Sequence, residues 1–96
     1  MPTRLEIENS IKTLLKRYNA EYALLFGSYA RGEETPDSDI DVVVFGGDSF
    51  KKTNIFAFGE ELREMLGKNV DAFEICEVNK ETSFYDKLIK EGIKIA

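Results

Sequence analysis

Apolar positions in this chain follow two spacings. Between residues 3 and 19, Leu5, Ile11, Leu14, Leu15 and Tyr18 recur at helical spacing, with Lys12, Lys16 and Arg17 largely off that stripe. This predicts an amphipathic helix with a solvated basic face. Thr3 and Glu6 have capping-box spacing at its start, and Asn19-Ala20 ends it. Tyr22 to Phe26 is continuously apolar, as in a strand buried on both faces. A Gly27-Ser28 turn and a short helical turn follow, then a polar loop, Glu33-Glu34-Thr35-Pro36-Asp37, with turn chemistry in its proline and aspartate. Ser38 caps the start of a second strand that carries Asp39 and Asp41 and continues as Val42 to Phe45. After the loop Gly46-Gly47-Asp48-Ser49, residues 53–66 place Ile55, Phe58, Leu62, Met65 and Leu66 at core spacing, and Gly67 stands where a helix C-cap is expected. Val70 to Ile75 reads as a third strand. Residues 82–91 read as a last helix with Phe84, Leu88 and Tyr85 inward, stopped by Gly92, and Ile93-Lys94-Ile95 as a short edge strand. Alternating helices and strands predict an α/β fold.

Composition narrows the class. With 96 residues and 43% hydrophobic content, the chain is expected to form one globular domain over residues 1–96. A net charge of -5 argues against a nucleic-acid partner held through phosphate contacts. The start, Met1-Pro2-Thr3-Arg4-Leu5, does not read as a signal peptide, and no apolar run approaches membrane-spanning length. Cys76 is the single cysteine, which fits a cytoplasmic protein, and with His 0 any acid-base or metal chemistry within the chain falls to carboxylates.

The candidate chemistry sits between residues 27 and 41. Glycine at 27 lets backbone approach a ligand closely, and if Ser28 opens a helical turn, its free N–H groups favour a phosphate. Asp39 and Asp41, two apart on a strand, would share a face while Ile40 and Val42 turn to the core. Aspartate is depleted in strands, and like charges on one face repel unless a cation compensates. Two short carboxylates beside a phosphate-binding turn therefore suit a hard divalent cation such as Mg²⁺. Arg31 has two readings that the sequence leaves open: a phosphate contact, or an ion pair with Glu33, Glu34 or an aspartate. Lys51-Lys52 reads as a solvated loop.

Gly27-Ser28-Tyr29-Ala30-Arg31-Gly32 followed by Ser38-Asp39-Ile40-Asp41 resembles the signature of the polymerase-beta-like nucleotidyltransferases, and is most similar to the minimal nucleotidyltransferase (MNT) family. The resemblance implies a small mixed β-sheet backed by helices. It implies that Gly27, Ser28 and Arg31 bind the nucleotide, and that Asp39, Asp41 and a third carboxylate, Asp71, hold two Mg²⁺ ions and carry catalysis. Glu74 competes with Asp71 for that third place, but strand parity turns it to the opposite face. The implied reaction is transfer of AMP from ATP to a hydroxyl with release of pyrophosphate. Larger relatives carry a further domain for the acceptor, so here the acceptor is expected to be another protein. MNT proteins of this size resemble the antitoxins of HEPN/MNT, type VII-like, toxin-antitoxin pairs, which implies a tyrosine of a HEPN ribonuclease toxin as acceptor and a possible hetero-oligomer with it. Two other functions remain open: a non-enzymatic MNT module that neutralises its HEPN partner by binding, and a small-molecule nucleotidyltransferase whose acceptor site forms by oligomerisation. Two departures from the family pattern are Ala72-Phe73-Glu74 after Asp71 and the ending Ile95-Ala96.

Overall fold

The computed structural model describes residues 2–77 and 81–95. Helix α1 (Arg4–Arg17) leads to strand β1 (Tyr22–Phe26), a one-turn helix α2 (Ser28–Arg31) and strand β2 (Ile40–Phe45). Helix α3 (Asn54–Leu66) then crosses to strand β3 (Val70–Glu74), and a 3-10 turn (Ile75–Glu77), helix α4 (Ser83–Glu91) and strand β4 (Ile93–Ile95) complete the order. The four strands form one mixed sheet in the order β3-β2-β1-β4, with β1 antiparallel to both β2 and β4 and β2 parallel to β3. The parallel pair needs a long crossover, which α3 supplies.

The sheet is covered unequally. On one face α1 and α3 bury Ile7, Ile11 and Leu14 with Ile55, Phe58 and Leu62 against Ala23, Leu25, Ile40, Val42 and Val44. On the other, Leu88 of α4 sits on Leu24 and Val43, with Phe26, Phe45 and Ile75 partly buried around it. Alternation along β2 turns Ile40, Val42 and Val44 to the thick layer and leaves Asp41, Val43 and Phe45 on the thinly covered face.

The start and end of α1 follow local chemistry. The Thr3 hydroxyl accepts from the Glu6 N–H, and the Glu6 carboxylate accepts from the Thr3 N–H in return. Beyond the helix, Asn19 takes a left-handed conformation at φ 58°. The buried stripe differs from the expected one at a single turn: Ile7 is buried, and Leu5, at 65% exposure, faces solvent. Two residues are about 200° of helix rotation, so Leu5 and Ile7 cannot share a face, and Ile7 is in phase with Ile11, Leu14 and Leu15. Tyr18 lies just past the helix, where its hydroxyl donates to Glu61 Oε1 of α3 at 2.7 Å.

Other boundaries shift slightly. Met65 is exposed although its spacing fitted the core of α3, while Leu66 packs on the edge of that core. Phe84 is also largely exposed rather than buried; its ring meets Phe26 edge-on at 5.5 Å, at the border of α4. Tyr85 is partly buried. Strand β3 ends at Glu74 and not at Ile75, because the Glu74 carboxylate accepts from the Cys76 N–H at 2.8 Å and turns the chain into the 3-10 segment. Among the described residues, no helix is long and apolar enough to cross a membrane.

Candidate active site

Gly27 joins β1 to α2 at φ 75° and ψ -153°, a backbone conformation essentially confined to glycine. The turn brings Gly27 over β2, whose Asp41 is the register partner of Phe26. A Cβ added to Gly27 would lie 2.5 Å from Asp41 Oδ2. The missing side chain is therefore what lets the Gly-Ser turn and the carboxylate meet. Ser28 opens α2, and the Ala30 and Arg31 N–H groups donate back to the Gly27 carbonyl. Gly32 closes the turn in a left-handed conformation.

Asp41 pairs in register with Asp71 across the parallel β2–β3 ladder, so the two carboxylates stand side by side on the thinly covered face. Asp39 differs from the expectation that both motif aspartates lie on the strand. The ladder begins at Ile40, whose N–H donates to Asn69, and Asp39 is an exposed residue of the preceding loop. That loop is held by Ser38: its Oγ accepts from the Thr35 N–H at 2.9 Å and its own N–H donates to the Thr35 carbonyl. Lys68 Nζ, donating to the Pro36 carbonyl at 2.7 Å, ties the loop to the end of α3. Glu74 is buried on the Cys76 N–H, away from this cluster, as strand parity requires.

The electrostatics mark Asp41. Partial burial, then the charge of Asp71, then that of Asp39, and a hydrogen bond to the Asp71 carboxyl raise its pKa to about 6, and Arg31 opposes the shift. Two carboxylates thus crowd negative charge around Asp41 with one cation as partial compensation. Among the described residues, no three acidic or sulfur side chains converge closely enough to enclose a metal ion as they stand. The donor set is nevertheless the one a hard divalent cation requires, all carboxylate oxygen, and the raised Asp41 pKa shows the negative charge that such an ion would neutralise.

Of the two readings of Arg31, the structure shows the ion pair. Its Nε bonds Glu33 at 3.1 Å and its Nη1 lies 4.0 Å from Glu91 of α4, while its charge also acts on Asp41. Glu91 is a partner that the sequence did not disclose, since the contact depends on how α4 returns over β1. Beside Arg31, the neighbouring Tyr29 is buried in the core, and its hydroxyl has no hydrogen-bond partner among the described residues. Removing that unsatisfied group should help: Tyr29→Phe is expected to raise unfolding stability by about 1 kcal/mol, read from urea denaturation midpoints.

Similarity to known proteins agrees with this geometry. Residues 9–96 match the family described as Polymerase beta, Nucleotidyltransferase. The chain belongs to this family. It is also 31% identical over 90 residues to MJ0435 of Methanocaldococcus jannaschii, which carries the name of a protein adenylyltransferase, covering 94% of this chain and 95% of that protein. Two solved structures share the fold of this family member. One is a toxin-antitoxin complex with AMP-PNP, at a TM-score of 0.79 and 24% identity over 93% of this chain and 72% of that one. The other is an MNT antitoxin in complex with a tri-AMPylated HEPN toxin of Shewanella oneidensis, at a TM-score of 0.74 and 21% identity over 98% of this chain and 72% of that one. The mixed four-stranded sheet backed by helices is thus a polymerase-beta-like nucleotidyltransferase fold, and the chain is a nucleotidyltransferase.

Proposed function

We propose that this nucleotidyltransferase moves AMP from ATP to a hydroxyl of another protein, a tyrosine of a HEPN-domain toxin, and serves as the antitoxin of that pair. The observation that carries the reading is the pairing of Asp41 with Asp71 close against the Gly27 turn, which supports a site where carboxylates and the N-terminal backbone of α2 act together. The named relative, the AMP-PNP complex and the AMPylated toxin complex support adenylyl transfer between such partners.

Each residue has a part in that chemistry. The Gly27 turn and Ser28 position the triphosphate, and Arg31 adds a cation beside it. Asp39, Asp41 and Asp71 hold Mg²⁺, which when bound neutralises charge on the phosphate oxygens. The acceptor oxygen bonds to the α-phosphorus in line as the bond from that phosphorus to the bridging oxygen of the β-phosphate breaks. The electron pair of that bond leaves with pyrophosphate, and the hydroxyl proton passes to the carboxylate of Asp71. Catalysis of this type is mostly positioning and charge neutralisation, which suits a small site built on rigid strands.

Labelled ATP tests the reaction type. With a HEPN partner present, label on the α-phosphate is expected to become covalently attached to that partner, and label on the γ-phosphate to appear only in pyrophosphate. Transfer of the γ-label would contradict adenylylation and indicate a kinase instead. No transfer of either label, with the partner still bound, would favour neutralisation by binding alone.

A further inference from the structure

Beside Gly27, lined by residues of α2 and α4, lies a cavity of about 210 Å³. Phe26 and Phe84, in edge-on contact, and Leu88 form its apolar wall, and Gly27 stands at its rim. Two cationic residues line it from opposite elements, Arg31 from α2 and Lys87 from α4. Glu91 also lines it, but lies 4.0 Å from Arg31 Nη1 and is partly neutralised there. The cavity therefore keeps one positive charge in excess in a chain whose net charge is -5. Among the described residues Lys87 makes no ion pair, whereas its neighbour Leu88 is buried on Leu24 and Val43 and fixes the backbone that carries it.

We propose that Lys87 receives the terminal phosphates of the nucleoside triphosphate in this cavity, so that α4 forms a wall of the nucleotide site opposite the Gly27 turn. This rests on the nucleotidyltransferase reading of the site given above. Gly27 links the carboxylates to the cavity: a Cβ added to it would meet Asp41 Oδ2 at 2.5 Å, and the residue itself is part of the cavity lining. A triphosphate whose α-phosphate lies at the carboxylates and whose chain follows the Gly27 turn runs past Arg31 toward Lys87. The part that reaches Lys87 is the part that departs as pyrophosphate, where negative charge accumulates as the bond to the α-phosphorus breaks. A lysine on an exposed helix surface, unpaired and held by a buried neighbour, meets that charge without first breaking an internal ion pair.

Affinities for Mg-ATP and for AMP, measured by titration calorimetry on the whole chain, test this. Lys87→Ala is expected to weaken Mg-ATP binding about tenfold, the loss of one charge-assisted contact, and to leave AMP binding within about twofold. Lys87→Arg should retain most of the Mg-ATP affinity. The thermal midpoint of both variants should match wild type, because the side chain is exposed. Equal weakening of Mg-ATP and AMP, or no weakening of either, overturns the assignment of Lys87 while leaving the carboxylate site intact. Failure of wild type itself to bind Mg-ATP overturns the nucleotide reading of the site, and this assignment with it.

Discussion

Replacing Asp41 by asparagine is expected to abolish adenylyl transfer and, at neutral pH, to make the chain more stable. The first effect follows from position: Asp41 is the carboxylate that touches both the Gly27 turn and Asp71, and losing its charge should cost roughly 10³-fold or more in rate. The second follows from the pKa of about 6. A carboxyl whose folded-state pKa lies above its ordinary value binds its proton more tightly when folded. Stability in the absence of metal is then greatest below pH about 4, falls as pH rises through about 6, and is level above that. Because Asp41 is only partly buried, the cost at pH 7 is discounted to about 1 kcal/mol. Asp41→Asn removes that cost, so its thermal midpoint should exceed wild type by several degrees at pH 7 and converge with it at pH 4. Thermal melts at the two pH values, without and with Mg²⁺, check this. A variant less stable than wild type at pH 7 would show that Asp41 serves the fold and not a cation.

Adding a single methyl group at Gly27 should be nearly as damaging to activity and, unlike the aspartate change, should destabilise. The backbone there lies in a region that L side chains adopt at a cost of about 1–3 kcal/mol. The new Cβ would also press on the Asp41 carboxylate, which must move. Displacing a reacting group by about 1 Å commonly costs about 10²-fold in rate, so Gly27→Ala is expected to lose at least that much. Gly67→Ala is the control: Gly67 also has positive φ, at 62°, but a Cβ there would meet nothing within 4 Å. It should lose only the stability that a left-handed residue costs, about 1 kcal/mol, and keep its activity. If both variants lose activity equally, backbone strain and not contact with Asp41 governs the site.

These two positions also show what was legible in the sequence. The strand Tyr22–Phe26, the Gly-Ser turn and Asp41 were readable because each is a local signal: an unbroken apolar run, a residue free to take positive φ, and a charge inside a strand. The family likeness pointed to Asp71 and strand parity turned Glu74 away from it; the parallel register sets Asp71 beside Asp41. Contacts that depend on tertiary placement were not legible. Arg31 reaches Glu91 only because α4 returns across β1, and the spacing of the two residues gives no hint of it. Phe50 lies in a loop without periodicity, yet it is buried because Gly46 leaves room for its ring, whereas Phe56, on a helix, is 78% exposed. On α1 the exchange of Leu5 for Ile7 is a matter of phase: the two lie about 200° apart, and Ile7 is the one in register with Ile11, Leu14 and Leu15.

On this reading the chain modifies a partner protein with AMP through its aspartate cluster. The decisive measurement is the intact mass of a candidate HEPN-domain partner after co-expression with wild type or with Asp39→Asn/Asp41→Asn. Wild type is expected to add a mass equal to one or more AMP groups to the partner, and the double variant none. An unmodified partner that still co-purifies with wild type and is still silenced would contradict it.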